Sequence, residues 1–240
     1  MISNIDPSAK LGKGVQIHPM AVIQAGVTIG DGVVVHPFAV LGGPPQHLKD
    51  NGEGTTLEVG ARTVIREHAT LNRGTKAGGG RTVIGADCYL MIGTHVGHDC
   101  ILGDGVVLAG GTVLAGHIEV GDFVLIGGHS AAHQFCRIGT MAMLAAGSGL
   151  SQDVPPYCMA VGNHARLMGL NEVGLDRRGL STESIRALRS AYRTVFRSGL
   201  PRAEAMARTR SEQGGVQEVT RFLDFIDSAG KRGVARHGRG

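Results

Sequence analysis

Large aliphatic residues recur at every sixth position along most of this chain. Ile5, Leu11, Ile17, Ile23, Ile29, Val35 and Leu41 form one run, and Val59, Ile65 and Leu71 a second. A third holds Ile84, Leu90, Val96, Leu102, Leu108, Leu114, Val120, Ile126, Ala132, Ile138, Leu144 and Leu150. Twenty-one of these 22 positions are Leu, Ile or Val, although those types supply only 56 of 240 residues. Four residues after many of the large ones stands a small or β-branched residue, as at Ala9, Val15, Ala21, Val27, Cys88, Thr94, Cys100 and Ser130. A period of six matches neither the 3.6 of a helix nor the 2 of a strand. It matches short strands joined by tight corners, with one large and one small side chain filling a prism. Three hexads make a coil of 18 residues, and coils stack at the strand spacing of about 4.8 Å. The glycines that often follow the large residue (Gly12, Gly30, Gly60, Gly85, Gly103, Gly121, Gly127, Gly139) read as corner residues with unusual backbone angles. The pattern predicts a mainly β chain built as a parallel β-helix.

The period breaks twice. Residues 42–57 (GGPPQHLKDNGEGTTL) and 73–81 (RGTKAGGGR) are polar and rich in Gly or Pro, so they are expected to loop out of the prism. Loops on a rigid scaffold are common places for function. After Leu150 the hexads stop, and the division expected is a β-helix over 1–160 followed by a helical domain over 161–240. Ser181/Thr182 can cap a helix whose apolar face is Ile185, Leu188, Tyr192, Val195 and Phe196, with Gly199 ending it. Pro201 opens a second helix, and Val216, Val219, Phe222, Leu223 and Ile226 mark a third. Arg232–Gly240 reads as a frayed tail.

Composition narrows the function. Of the 24 Lys and Arg, 15 lie after residue 150, against 9 of the 20 Asp and Glu, so the C-terminal third is basic and suits an acidic partner or a phosphorylated ligand. There is no Trp and only nine residues are Phe or Tyr, which argues against stacking on nucleic-acid bases. No run of 18 apolar residues spans a membrane, and Met1–Lys10 lacks the pattern of a secretory signal. Four cysteines without paired spacing suit reduced thiols in the cytoplasm; Cys88, Cys100 and Cys136 fall at the small inward position and read as core.

Histidines gather where the coils are most regular: His95, His98, His117, His129 and His133. At 18 residues per coil, His98, Gly116 and Gln134 fall in one column, flanked by His117 and His133. Polar residues on the outside of a prism, or a metal site, are both open on this spacing alone.

The segments IGTHVGHDCILG (92–103), LAGH (114–117), AAHQFCRIG (131–139), SQDVPPY (151–157), GNHA (162–165) and GLDRRG (174–179) together closely resemble the UDP-N-acetylglucosamine O-acyltransferase family of lipid A biosynthesis. The resemblance runs from about residue 15 to 230. It implies a left-handed β-helix, an exception to the right-handed crossover rule. It implies transfer of a 3-hydroxyacyl chain from acyl carrier protein to the sugar 3-hydroxyl, with no cofactor and no metal. Carried over residue by residue, it makes His98 the general base, Asp99 its carboxylate partner and Gly116 the oxyanion donor. His95, His117, His133 and Gln134 would line the sugar and phosphopantetheine groove. Lys49 and His164 would lie beside the substrate, Asn171, Arg177 and Arg178 would hold the nucleotide, and Ala146 would limit the acyl chain. It also implies a homotrimer with sites in clefts between prisms, and basic helices that receive acyl carrier protein. The β-helix is expected to have about one and a half fewer N-terminal coils than is usual for the family. His47 and Val173 stand where acidic residues are usual, which leaves a 3-amino sugar nucleotide as an alternative acceptor. A metalloenzyme of γ-carbonic-anhydrase type uses two histidines five apart, whereas His95 and His98 are three apart. A scaffold without catalysis would give the base, the glycine and the Arg pair no reason to coincide.

Overall fold

The computed structural model describes residues 4–49 and 54–238. Its β region is a left-handed parallel β-helix of triangular section. Each hexad supplies a strand of two to four residues, and every third strand stacks on its predecessor. Among the described residues the three walls hold eight, seven and nine strands. Register follows the period: Val22 pairs with Val40 and Ile23 with Leu41, 18 residues on. Where the chain loops out, the partner is simply later, as in Leu41 with Leu71 and Leu71 with Val96. Strands Val40–Gly43 and Thr56–Val59 bound the first excursion, and Thr70–Asn72 and Arg81–Ile84 the second. Backbone N–H groups donate to carbonyls one coil on (Asp6 to Ile23, 2.8 Å; Gly97 to Leu114, 2.8 Å), so the ladder satisfies the buried peptide groups.

From Ile23 to Leu150 the large hexad residues are buried without exception. Each such Leu or Ile contributes roughly 1.5–3 kcal/mol relative to exposure, which penalises any slip in register. Ile5 and Leu11 remain 37% and 44% exposed because, among the described residues, nothing stacks outside the first coil. All four cysteines are buried and unpaired. Burial pushes the Cys88 and Cys136 thiols up to about 11 and Cys100 to about 12, so they are core rather than nucleophiles.

The structure corrects four local readings. First, the glycines after the large residues do not carry the unusual angles; those fall two residues later, at Gly14, Met20, Phe38, Asp99, His117 and Phe135 among others. The glycines are needed for contact between coils: a Cβ on Gly30 would stand 2.7 Å from Ala61 N, and one on Gly121 2.5 Å from Thr140 N. Second, strand pairing continues past residue 160, into the segment expected to be helical. Strand Cys158–Val161 pairs in parallel with Met143–Leu144, then Arg166–Leu170 returns antiparallel. Leu144 meets Ala160 only 16 residues on, so a coil two residues short hides the period.

Third, a helix not anticipated from the sequence, α1 (Glu172–Arg177), precedes α2 (Thr182–Arg197), α3 (Arg202–Gln213) and α4 (Gln217–Asp227). Ser181 caps α2 by accepting from Ser184 N–H at 3.0 Å, and Gly199 follows it with φ +79°. Fourth, the tail is pinned, not frayed, as far as Gly238; residues 239–240 lie outside the described residues. Asp153 N–H donates to Gly233 O (2.8 Å), Ala235 N–H to Asp153 O (2.9 Å) and Leu167 N–H to Arg236 O (2.9 Å), while Val234 and Ala235 are buried. A polar, glycine-rich sequence gave no sign of these backbone pairings.

Candidate active site

The corner between the first and second walls carries a cluster of polar side chains around His98, Asp99 and His117. There the chain turns at Asp99, whose φ is +61°. Asp99 N–H donates to Thr82 Oγ1 at 2.8 Å, which fixes the turn. Its carboxylate is buried and receives Thr75 N–H (2.7 Å) on one oxygen and Thr75 O–H (2.8 Å) on the other. Thr75 comes from the second excursion, which can lie this close because a Cβ at Gly78 would collide with the Asp99 carboxyl. The same carboxylate holds Nδ1 of His98 at 2.7 Å. A carboxylate only accepts, so the hydrogen sits on Nδ1 and Nε2 is left with a free lone pair.

One coil on, Gly116 lies over this ring: a Cβ there would be 2.7 Å from His98 Nε2. Among the described residues the Gly116 N–H meets no acceptor, although its carbonyl receives Phe135 N–H at 3.3 Å. His117 Nε2 stands 3.5 Å from the Asp99 carboxylate, and the His117 ring stacks on Phe135 with centroids 4.5 Å apart. His95, on the adjoining wall, bonds Thr70 Oγ1 through Nδ1 at 2.8 Å. The structure thus brings His98, Asp99, Gly116, His117 and His95 together.

Burial holds the His95 imidazole below its ordinary pKa, with the nearby His98 adding to the effect. Burial also lowers that of His117; the Asp99 charge opposes this, and His98 and His47 reinforce it. Both folded-state values lie under the ordinary value near 6.5, so around and below that pH the unfolded chain binds more protons. Stability is expected to fall as pH drops from 7.5 to 5.5. Thermal melting across that range checks it: a flatter profile is expected in His95→Gln/His117→Gln, and a Tm that rises on acidification contradicts it.

The remaining expected residues spread along the chain. His47, in the first excursion, sets its ring edge-on to His98 at 5.4 Å, and Lys49 N–H donates to His47 Nδ1 at 3.3 Å. His133 and Gln134 are exposed one coil beyond Gly116, held by Arg232 of the tail. His164 is exposed and bonds Ser151 Oγ through Nδ1 at 3.2 Å. Ala146 is exposed at the corner between the third and first walls.

Asn171, Arg177 and Arg178 are not near His98 in the same chain. They line a recess of about 770 Å³ against Met143, Met159 and other residues of the third wall, with Val173 at its edge. Asn171 caps α1 through Gly174 N–H (3.3 Å) and donates to Met141 O (3.0 Å), while Arg178 lies 4.3 Å over the Phe123 ring. The pair ends α1, where positive charge suits the carbonyl end of the helix. Sequence reasoning missed Thr75, Thr82 and Gly78; the one available signal was the second excursion, inserted just before the HDC segment.

His98, Asp99 and His117 present atoms within 4.8 Å of one another, close enough for a shared cation. The Asp99 oxygens, however, already accept from Thr75 and from His98 Nδ1–H. The arrangement is that of a carboxylate-oriented imidazole facing a backbone N–H, which can move a proton and hold a developing oxyanion.

Comparison with known proteins gives a consistent answer. A model described as UDP-N-acetylglucosamine O-acyltransferase, domain 2, matches residues 153–235, and the bacterial transferase hexapeptide model matches 8–43 and 81–116. An acyl-[acyl-carrier-protein]–UDP-N-acetylglucosamine O-acyltransferase of Anaeromyxobacter sp. (strain Fw109-5) is 44% identical over 94% of this chain and 80% of its own length. One so named from Burkholderia orbicola is 44% identical over 82% of this chain and 76% of its own. Among solved structures, LpxA of Acinetobacter baumannii superposes with a TM-score of 0.93 at 37% identity, covering 98% of both chains.

Proposed function

The chain belongs to the UDP-N-acetylglucosamine O-acyltransferase family, and from that premise we propose that it acylates its sugar nucleotide by direct, base-assisted attack on a carrier-bound thioester. It is an acyltransferase of lipid A biosynthesis. Its relatives' names carry an acyl-[acyl-carrier-protein] and UDP-N-acetylglucosamine; the donor proposed here is a 3-hydroxyacyl chain on that carrier and the acceptor atom the sugar 3-hydroxyl. The observation that carries the mechanism is the 2.7 Å bond from His98 Nδ1–H to Asp99, with the Gly116 N–H one coil away meeting no acceptor among the described residues.

His98 Nε2 takes the proton of the sugar hydroxyl as that oxygen attacks the thioester carbonyl. The carbonyl oxygen becomes an oxyanion and accepts from Gly116 N–H. Asp99 keeps the ring oriented and stabilises the imidazolium. Collapse re-forms the carbonyl and breaks the C–S bond; the leaving thiolate recovers the proton from Nε2. No protein atom is acylated and no cofactor or metal takes part.

Asn171, Arg177 and Arg178 face away from His98 in their own chain, so nucleotide held by them reaches a base only on a second copy. This supports a homotrimer with its sites between neighbouring prisms. An Arg pair suits a diphosphate because each guanidinium donates in a fork. His95, His117, His133, Gln134, His164 and Lys49 complete the groove. The excess of Lys and Arg after residue 150 supports docking of the acidic carrier protein there. No described helix is long and apolar enough to cross a membrane, and four unpaired cysteines are in keeping with the cytoplasm.

The test is turnover of UDP-N-acetylglucosamine with a ladder of 3-hydroxyacyl carrier proteins. The 3-O-acylated product is expected with medium to long chains, since the small Ala146 side chain leaves the groove open. Reaction with only the shortest donors overturns the role of Ala146; no product with any donor overturns the whole reading.

A further inference from the structure

The C-terminal tail reaches a residue of the proposed groove. Arg232 Nη2 lies 2.7 Å from His133 Nδ1, and Arg232 Nε–H donates to the Gln134 carbonyl at 2.9 Å. The partners are about a hundred residues apart in sequence. Arg232 is held there by the main-chain bonds of its neighbours: Asp153 N–H to Gly233 O, Ala235 N–H to Asp153 O and Leu167 N–H to Arg236 O, with Val234 and Ala235 buried beneath. Arg137 braces the same junction, its Nε–H donating to Asp153 Oδ2 at 2.9 Å and its Nη2 to Phe225 O at 3.2 Å.

A guanidinium has five donors and no acceptor, so the 2.7 Å contact exists only while Nδ1 of His133 carries no hydrogen. The ring hydrogen is then on Nε2. The 3.3 Å approach of the same Nδ1 to Gln134 O is consequently not a bond, because neither atom then carries a hydrogen. One side chain thereby fixes the ring plane and tautomer of His133 and the carbonyl of Gln134, through the parallel donors that only arginine presents.

We propose that Arg232 is a positioning residue for the transfer, setting His133 as an Nε2–H donor, and that the C-terminal tail is therefore part of the active site. The inference rests on the reading that His133 lines the substrate groove. The donated hydrogen bond suits an oxygen of the incoming substrates, a hydroxyl or an amide carbonyl, and Arg232 acts through it without touching them.

The test uses the full chain with 15N-labelled histidine. Long-range 1H–15N spectra are expected to show His133 as the Nε2–H tautomer, and to lose that signature in Arg232→Met. In that variant kcat/KM is expected to fall by about ten- to a hundredfold, the size of effect that misplaced groups produce, while Tm changes little because the neighbouring main-chain bonds remain. His133→Gln gives a similar fall, and adding Arg232→Met to it costs nothing further. A Nδ1–H tautomer in the unsubstituted protein overturns the proposal, even if Arg232→Met fails to fold. So does a double variant whose loss is the product of the two single losses. If the unsubstituted protein transfers no acyl chain, the proposed function fails, yet the tautomer spectra still decide whether Arg232 sets His133.

Discussion

Replacing His98 with alanine is expected to lower kcat by about 10³-fold, within the range of 10²–10⁴ that a positioned general base contributes. The fold should survive, because the buried Asp99 carboxylate keeps both Thr75 donors and loses only its bond to Nδ1. Tm therefore separates loss of the base from loss of structure. Asp99→Asn offers a sharper comparison. An amide can present N–H groups to Nδ1 and so favour the tautomer with hydrogen on Nε2, which cannot take the sugar proton. Activity should fall by a comparable factor with the ring still in place. A His98→Ala protein within tenfold of the original kcat removes the base from the mechanism.

Gly116→Ala is expected to be nearly as damaging, about 10²–10³-fold in kcat, the cost of losing one oxyanion donor. The φ of Gly116 is not in the left-handed region, so the backbone accepts alanine without strain. The damage lies in what the methyl group meets, since a Cβ would stand 2.7 Å from His98 Nε2 and also press on Cε1. The ring must tilt off Asp99 or the coil must shift, and the methyl occupies space beside the free N–H. Steady-state kinetics on Gly116→Ala, read beside its melting curve, checks this. Near-normal kcat would mean that neither the ring nor the N–H is used as described.

The hexad period was sufficient to read the prism, because a helix of stacked coils repeats one local rule and pairs residues at a fixed separation. For the same reason the alignment of His98 with Gly116 was legible: 18 residues is one coil. The shortened coil after Leu150 was not, since dropping two residues removes the period while Met143–Leu144 still finds a partner in Met159–Ala160. The contact of Thr75 with Asp99 depends on how the second excursion folds back, and that is set by tertiary contacts such as the close approach allowed by the absent side chain at Gly78. Arg232 was read as part of a loose tail because glycines and charges dominate residues 230–240. Its anchorage comes from main-chain pairing with Asp153 and Leu167, to which side-chain patterns are blind. The face carrying Asn171, Arg177 and Arg178 shows a further limit: the motifs were visible, but their distance from His98 within one chain was not.

Direct transfer, governed by the His98–Asp99 pair, leaves no acyl group on the protein. Its most direct test is a single turnover with a radiolabelled 3-hydroxyacyl carrier protein, quenched and analysed by intact protein mass alongside product. Label is expected on the 3-oxygen of the sugar nucleotide, with no acylated protein at any time point and neither species in His98→Ala. An acyl adduct on the protein that forms without sugar nucleotide and decays into product when it is added would contradict it.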